Sequence, residues 1–363
     1  MPKKPVVLTL DAGGTNFVFS AVKNGVSYGK SFSYPAKTNE LESCIQLIID
    51  GFEKLASTLD EKPDAISFAF PGPADYEQGI IGDLPNLPAF KGGTPLASMI
   101  EERLGIPVFI NNDGNLFTLG ESKSGFLPYL NQQLNEAGSS RRFNNLIGIT
   151  LGTGFGVGVS INGQLVIGDN SVAAEGWLLR NKHYNYSNVE DTLSIRSIKR
   201  IYAEQISMDP AKAPEPHEIF EVAIGQRDGI REAAIETFLR YGEVLGDAIA
   251  HLITIVDGVV VIGGGVSGAY PIFSRSMLDE LNGSFTALNG KRFPRLIQEV
   301  YDFENEFKRR SFLNLKGQTI SIPGSETPIT YYETKSTVVG LSKLGTSKAI
   351  SLGAYHFAVE KLG

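Results

Sequence analysis

The feature that most constrains the fold of this chain is an internal repeat. Residues 6–10 and 146–151 are apolar strand patterns, and each is followed by a glycine-rich turn and a second strand pattern. When Thr15 is aligned with Thr153, each threonine precedes an Asn-Gly pair by nine residues. Asn-Gly favours a two-residue hairpin, because both turn residues must tolerate positive φ. The repeat therefore predicts two similar α/β lobes, each led by a β-hairpin, with a cleft between them.

The remaining hydrophobic patterns complete an α/β layered arrangement. After the first hairpin they predict a helix at 41–59, a strand at 65–70, a helix at 95–104 and a strand at 107–110. After the second they predict a long helix at 230–255 and a buried strand at 258–262. Two polar segments, 131–145 and 208–216, are predicted to be surface insertions.

Composition narrows the classes of function. The chain has 363 residues, with 33 Lys and Arg against 40 Asp and Glu, and a net charge of −7. This balance repels phosphate backbones, so we expect no nucleic-acid partner. The single cysteine, Cys44, excludes a disulfide framework within the chain and a zinc cluster built from cysteines. Because no apolar run approaches the ~20 residues of a membrane span, we expect a cytoplasmic protein without membrane contact.

The glycine-rich turns of the repeat are candidate phosphate sites. Glycines let backbone N–H groups face an anion, a threonine hydroxyl adds a donor, and a strand-end carboxylate can orient Mg²⁺ through water. A plain hairpin turn explains either motif alone equally well, but two turns at matched positions could hold a polyphosphate from both sides. The candidates are Asp11, Gly13, Gly14 and Thr15 in the first turn and Gly152, Thr153 and Gly154 in the second.

A third glycine run, Gly263-Gly264-Gly265-Val266, follows an apolar strand pattern and precedes a predicted helix. Such a turn lets a flat apolar group such as adenine approach the backbone, although a strand–helix turn that merely needs glycine looks the same. The run lacks the G-x-G-x-x-G spacing, so a Rossmann dinucleotide site is not supported.

Asn112 and Asp113 follow the strand predicted at 107–110. Polar side chains at the carboxyl end of a strand in an α/β unit face the cleft. Asp113 could take the proton from a substrate hydroxyl that attacks a γ-phosphate, while Asn112 holds a neighbouring hydroxyl. The pair could equally cap the helix that follows, and the two roles are compatible.

An ordered set of motifs resembles the ROK sugar kinases (repressor, open reading frame, kinase) over nearly the whole chain. The motifs are Asp11-Ala12-Gly13-Gly14-Thr15, Phe70-Pro71-Gly72, Pro85-Asn86-Leu87-Pro88, Asn111-Asn112-Asp113-Gly114-Asn115, Leu119-Gly120-Glu121, Thr150-Leu151-Gly152-Thr153-Gly154, Asn162-Gly163, Ala174-Glu175-Gly176, Ile262-Gly263-Gly264-Gly265-Val266-Ser267 and Leu352-Gly353-Ala354. The resemblance implies an actin/hexokinase-like (ribonuclease H-like) fold of duplicated α/β domains, with ATP and Mg²⁺ in a central cleft. We expect a first lobe at 1–113, joined by a C-terminal helix at 346–363, and a larger second lobe at 114–345.

The resemblance also implies residue roles. Asp113 would be the catalytic base, and Asp11 would be the carboxylate near Mg²⁺, which it would contact through water. The phosphate and adenosine contacts would come from Gly13, Gly14, Thr15, Gly152, Thr153, Gly154, Gly264, Gly265 and Val266. The sugar would be bound by Gly72, Asn86, Asn112, Asp113, Glu175 and Glu190.

The sequence departs from the family pattern after Glu175. The family continues there with a histidine and a cysteine-rich zinc loop, whereas this chain has Trp177 in or next to the place of the histidine and no cysteine at 180–189. We therefore expect no zinc site. The indole of Trp177 could stack on a sugar ring, but a buried core aromatic is the plainer interpretation. His183 is a weaker candidate for the vacated space, and Glu190 still resembles the family's next glutamate.

The hypothesis that these residues favour is an ATP-dependent hexose kinase, which transfers the γ-phosphate of MgATP to the 6-hydroxyl of glucose or a related hexose. The alternatives are an N-acetylmannosamine or N-acetylglucosamine kinase, and a ROK protein that binds sugar without turnover. The repressors of the family carry an N-terminal helix-turn-helix module, for which we expect no room before the first strand. Dimers are common in the family, which makes a homodimer a further expectation.

Overall fold

The structure is a computed structural model that describes residues 4–12, 16–36, 40–72, 74–84, 89–324 and 326–363. The chain forms two compact units. The first comprises Met1–Gly125, Gly158–Ala174 and Lys343–Gly363, and the second comprises Phe126–Val157 and Glu175–Ser342. The boundary predicted from the sequence lies at residue 113, whereas here the helix that begins at Asp113 and the segment 158–174 also belong to the first unit.

The secondary structure elements follow the chain in this order. The strands are β1 (Val6–Ala12), β2 (Asn16–Lys23), β3 (Val26–Ser27), β4 (Phe32–Pro35), β5 (Ala65–Ala69), β6 (Ala74–Asp75), β7 (Ile80–Ile81), β8 (Val108–Asn111), β9 (Leu146–Leu151), β10 (Phe155–Ile161), β11 (Gln164–Leu165), β12 (Val259–Gly263), β13 (Ser284–Thr286), β14 (Arg292–Pro294), β15 (Glu299–Asp302), β16 (Gln318–Ile320), β17 (Ile329–Tyr331) and β18 (Ser336–Leu341). The helices are α1 (Leu41–Ser57), α2 (Leu96–Leu104), α3 (Asp113–Lys123), α4 (Phe126–Glu136), α5 (Ile195–Gln205), α6 (Pro216–Ala223), α7 (Arg231–Val256), α8 (Tyr270–Leu281), α9 (Glu306–Leu313) and α10 (Thr346–Leu362).

The first unit is built on a sheet with the strand order β3-β2-β1-β5-β8, and β4 pairs with β2. β1 runs antiparallel to β2 and parallel to β5, which is parallel to β8. Helices α1 and α2 pack their apolar faces into the same core as this sheet, so Ile48, Phe52 and Ile100 are fully buried with Leu8 and Phe68. This burial holds the carboxyl ends of the parallel strands at one edge.

The second unit repeats this plan. Its sheet has the order β10-β9-β12-β18-β15, in which β12 is parallel to β9 and β18, and β15 is parallel to β18. All residues of β9 and β12 are buried, as expected for central parallel strands with both faces covered. Strand β10 continues into the first unit, where it pairs with β11. The duplicated α/β fold predicted from the repeat is confirmed.

Both Asn-Gly pairs form the predicted hairpin turns. Asn24 and Gly25 have φ of 56° and 72°, and Asn162 and Gly163 have φ of 53° and 76°. The flanking residues pair in the register of a two-residue loop, at β2–β3 and at β10–β11. Positive φ at both positions matches the twist of the strands, which explains why the sequence places Asn-Gly there.

The prediction of a surface insertion at 131–145 is wrong for the first part of this segment, because helix α4 extends to Glu136. Leu127, Leu130 and Leu134 are buried at helical spacing, a pattern that the polar residues between them obscure. The second part is also less exposed than expected. Arg141 lies over the rings of Phe312 and Tyr332, at 4.7 and 5.3 Å from their centroids, and donates to the carbonyl oxygen of Ser336 at 3.0 Å.

Glycines bring two pairs of helices into backbone contact. In the first unit, a Cβ on Gly353 of α10 would lie 1.8 Å from the carbonyl oxygen of Leu116 in α3, and one on Gly120 would lie 1.9 Å from that of Ala349. In the second unit, a Cβ on Gly242 of α7 would lie 2.2 Å from the carbonyl oxygen of Phe273 in α8. No side chain fits these crossings unless a helix moves.

No helix among the described residues is at once long enough and apolar enough to cross a membrane.

The Gly353→Ala substitution should destabilise the protein. Because the obstacle is a backbone carbonyl rather than a mobile side chain, α3 and α10 must separate, which should cost about 1–3 kcal/mol or more of unfolding free energy. Urea unfolding followed by circular dichroism measures the change. Gly268→Ala is the matched control, since a Cβ there meets none of the described residues within 4 Å beyond its chain neighbours, and its φ is not positive. Equal midpoints for the two variants would contradict the steric argument.

Candidate functional site

The first unit gathers polar side chains where its parallel strands end. Leu10 of β1 pairs with Phe68 of β5, which pairs with Ile110 of β8. The next residue of β1 is Asp11, and Asn111 ends β8. Since neighbouring strands lie ~4.8 Å apart, Asp11 and the segment after β8 share one edge of the sheet, with β5 between them. The sequence predicted these residues at a strand edge without showing that it is the same edge.

Three asparagines hold the turn from β8 into α3. The Oδ1 of Asn111 accepts hydrogen bonds from the backbone N–H of Asn112, at 2.8 Å, and from the Nδ2 of Asn115, at 2.9 Å. The Oδ1 of Asn112 accepts from the N–H of Asn115 at 2.6 Å and so caps α3. The capping role considered for Asn112 is therefore present. The cap uses only the Oδ1 of Asn112, so the Nδ2 takes no part in it. Asn115 is a supporting residue whose role the sequence did not reveal.

Asp113 is the first residue of α3, and the residue as a whole is exposed at the surface. Its Oδ1 accepts from the N–H of Gly114 at 2.9 Å. The protein packed around the carboxyl group partly desolvates it, and this desolvation raises its pKa, while the backbone N–H groups of Gly114 and Asp113 lower it. A raised pKa brings an aspartate closer to the range of a general base.

The other sugar-site candidates of the first unit are less defined. Gly72 follows β5 and is exposed, and a Cβ placed on it would lie 3.0 Å from the Oη of Tyr76. That hydroxyl donates to the carbonyl oxygen of Phe70 at 3.0 Å and so fixes the turn. Four candidates lie outside the described residues, namely Gly13, Gly14, Thr15 and Asn86.

In the second unit, the two candidate glycine turns are neighbours. β9 ends just before Gly152 and β12 ends at Gly263, and their register pairs Gly263 with Thr150. Gly264 has φ of 89°, and a Cβ there would lie 2.2 Å from the carbonyl oxygen of Leu151. Gly264 is thus required by the turn itself, which is the plainer of the two interpretations considered from the sequence.

Open space adjoins these turns at two glycines. In the part of the chain that the structure describes, a Cβ on Gly152 or on Gly265 would meet nothing within 4 Å beyond its chain neighbours, so these residues leave the backbone open to a ligand at both. The N–H of Gly152 donates to the carbonyl oxygen of Gly154 at 3.1 Å, and its own carbonyl accepts from Ile195 at the start of α5. The Thr153 side chain is exposed at the tip of the turn, whereas that of Val266 is buried.

Glu190 is tied to the same turn. Its Oε2 accepts from the N–H of Phe155 at 3.1 Å, and a Cβ on Gly154 would lie 2.5 Å from this oxygen. The Oε1 of Glu190 lies 3.0 Å from the Nη2 of Arg196 on α5. Gly154 is therefore needed for the approach of a carboxylate, and Arg196 is a neighbour of the site that the sequence analysis missed, because only α5 brings it there.

Glu175 directly precedes a short 3-10 turn, Gly176–Leu178, and Trp177 is the middle residue of that turn. The indole N–H of Trp177 donates a hydrogen bond to Oε2 of Glu175. The Trp177 side chain is exposed, with a relative accessibility of 36%, so the core interpretation of this residue is wrong. The Nε2 of His183, the weaker candidate for the space of the family histidine, lies 3.2 Å from the Oε2 of Glu243 on α7.

A family model settles the relationship suggested by these motifs, since the model described as the ROK family matches residues 7–286. The chain belongs to the ROK family. Its predicted membership is confirmed.

Three relatives illustrate the range of ROK proteins that this chain resembles. The crystal structure of glucokinase from Parabacteroides distasonis is 47% identical with a TM-score of 0.89, and the match covers 99% of this chain and 98% of that one. Glucokinase of Thermotoga maritima is 29% identical, over 74% of this chain and 84% of its own length. N-acetyl-D-glucosamine kinase of Vibrio cholerae is 25% identical, over 84% and 98%.

The cap of α3 yields a prediction for this ROK protein. Asn112→Ala removes the side-chain acceptor for the N–H of Asn115 and should lower the free energy of unfolding by about 1 kcal/mol. Asn112→Ser restores an acceptor and should recover most of the loss. Urea unfolding of the three proteins measures both changes, and a serine variant as unstable as the alanine variant would show that the cap is not the source.

Proposed function

We propose that this chain is an ATP-dependent hexose kinase of the glucokinase type, which transfers the γ-phosphate of ATP to the 6-hydroxyl of glucose. ROK membership and the sugar-kinase relatives establish the enzyme class, a phosphotransferase that acts on sugars. The observation that carries the choice of glucose is the 47% identity to the Parabacteroides distasonis glucokinase over 99% of the chain. The N-acetylglucosamine kinase from Vibrio cholerae supports the alternative of an N-acetylhexosamine substrate.

Asp113 is our candidate for the catalytic base. It lies on the first turn of α3, held by the three-asparagine turn, at a residue that is exposed at the surface. There it would accept the proton of the sugar hydroxyl as the oxygen attacks phosphorus. Most of the rate enhancement in such a site comes from positioning and electrostatics, because little covalent chemistry is left to the protein.

Glu175 and Glu190 are our candidates for sugar contacts in the second unit, with Asn112, Gly72 and Asn86 in the first. The Nδ2 of Asn112 can donate to a hydroxyl while its Oδ1 caps α3. Glu190 already accepts from Phe155 and Arg196, but a carboxylate has about four lone-pair positions and can accept a sugar hydroxyl as well.

The glycine turns fit a nucleotide. A Cβ on Gly152 or Gly265 would have no described residue beyond its chain neighbours within 4 Å, which leaves room for phosphate and adenosine against the backbone. Thr153 and Gly154 would complete the phosphate contacts, and Gly264 and Val266 would shape the adenosine side. Gly13, Gly14 and Thr15 are proposed phosphate contacts from the resemblance alone.

Asp11 is our candidate near Mg²⁺. Its carboxylate is a hard oxygen donor of the kind that Mg²⁺ prefers, at the sheet edge shared with the Asp113 turn. The ion would neutralise charge on the transferring phosphate. The homodimer expected from the resemblance and the cytoplasmic location expected from the hydrophobic pattern of the sequence stay predictions.

The Asp113→Asn variant tests the proposed role. Loss of the base should lower sugar-dependent turnover by roughly 10²–10⁴-fold, while the affinity for sugar stays nearly unchanged. ADP release from MgATP across a panel of hexoses and N-acetylhexosamines measures turnover and identifies the substrate class. Calorimetry measures sugar binding. Sugar binding without turnover in the parent protein would instead support a ROK protein that has lost its activity.

The pH dependence of kcat/KM tests the raised pKa of Asp113. A base must be ionised to act, so activity should fall as the pH drops through its pKa. Because desolvation raises that pKa, the acidic limb should have its midpoint above the usual aspartate value of about 4. The buffer series must stay within the range where circular dichroism shows the fold intact. A midpoint at or below about 4 would contradict the environment described for this carboxyl group.

A further inference from the structure

We infer that Trp177 is a positioning residue of the sugar site, which acts by holding Glu175 through its indole N–H. The inference rests on the proposed function, because Glu175 is a proposed sugar contact. It adds a role for the residue at which this chain departs from the ROK family pattern.

The hydrogen bond between Trp177 and Glu175 can have only one donor, the indole N–H. An indole has one donor and no acceptor, so the oxygen of Glu175 that it meets can only accept. Within the described ranges, the hydrogen bond from Trp177 is the only one to this carboxylate. The remaining lone pairs of Glu175 are therefore available to a hydroxyl donor such as that of a sugar.

The backbone under the pair is fixed by packing. Gly176, between the two residues, is buried, and a Cβ on it would lie 2.6 Å from the Cγ2 of Val157 in β10. The N–H of Leu178 donates to the carbonyl oxygen of Glu175 at 3.1 Å. The turn can thus come close to β10 only with glycine at this position, and that approach sets where Glu175 and Trp177 project.

The same turn is joined to the other proposed sugar contact. The N–H of Val189, next to Glu190, donates to the carbonyl oxygen of Leu179 at 2.8 Å. Glu190 in turn accepts from Phe155, the first residue of β10. Glu190 therefore stays held by the backbone of β10 when the hydrogen bond from Trp177 to Glu175 is removed. Of the two proposed sugar contacts, only the Glu175 side chain then loses its order.

Burial argues against a purely structural role for the indole. A tryptophan kept for packing is normally well buried, since this is the largest apolar side chain, whereas Trp177 keeps a relative accessibility of 36%. An amphipathic ring that is partly accessible to solvent and whose N–H is engaged is suited to a site that a polar ligand with apolar patches enters.

Steady-state kinetics of Trp177→Phe test the inference. Phenylalanine keeps an aromatic ring but removes the donor, so KM for the sugar should rise about tenfold, as expected for one hydrogen bond to a charged group. KM for ATP and the urea midpoint should not change. Tyr186→Phe is the matched control, since it removes a polar atom from another exposed aromatic residue, 86% accessible, of the same unit. An unchanged KM for the sugar would overturn the inference.

A double-mutant cycle separates positioning from direct contact. If Trp177 acts through Glu175, the Trp177→Phe change should have no further effect on sugar affinity in a Glu175→Ala background. Calorimetric titration of sugar, without ATP, measures affinity for all four proteins. Equal losses in both backgrounds would show that the indole acts on the sugar by itself, which overturns the positioning role.

Fluorescence distinguishes failure of this inference from failure of the proposed function. Trp177 is the one tryptophan of the chain, so its emission reports on this turn alone. Addition of glucose without ATP should change the emission with saturation, and Glu175→Ala should weaken that response. If the parent releases ADP with sugar but its emission does not respond, the inference fails and the function stands. If no sugar in the panel gives either signal, both fail.

Discussion

The contact on which the rest of this structure depends is the close crossing of helices at glycine. In the first unit, Gly120 and Gly353 let α3 and α10 approach very closely. A Cβ on either glycine would lie less than 2 Å from a backbone carbonyl oxygen of the other helix. α3 begins at Asp113, so this crossing, together with the cap by Asn112, sets where the candidate base stands on its sheet edge. In the second unit, Gly242 and Gly246 do the same for α7 and α8.

In the second unit, strand β10 and the turns around it act as the organising element of the site. The N–H of Phe155, the first residue of β10, donates to Glu190. Val157, the third residue of β10, packs against Gly176, which lies between Glu175 and Trp177. The Gly152 turn precedes the strand, and the Gly264 turn is pressed against Leu151. Glycine therefore has two separate uses here. Some glycines, such as Gly154, Gly176 and Gly264, admit close protein neighbours, while Gly152 and Gly265 leave space for a ligand.

Much of the fold could be predicted because its signals are local. The Asn-Gly hairpins follow from the steric requirement for positive φ, and the buried strands β9 and β12 from continuous apolar runs. The misplaced insertion shows the limit, because α4 buries Leu130 and Leu134 amid polar residues. Trp177 was expected in the core from its apolar surface alone, whereas its accessibility depends on which surfaces the fold brings over it.

The sequence by itself determined the duplication, the hairpin turns and the family of this protein, since these depend on residue order and on the intrinsic conformational freedom of glycine and asparagine. It also supplied the polar residues of the site. Only the tertiary structure decided what those residues touch. That Glu190 holds Phe155, that Arg196 reaches Glu190, and that Trp177 donates to Glu175 in an exposed turn all depend on packing. Hydrogen bonds require atoms within about 3 Å. For Glu190 and Phe155, 35 residues apart in the chain, only the packed fold provides that proximity. For the pairs closer in sequence, the fold decides the backbone conformation that brings the two side chains together.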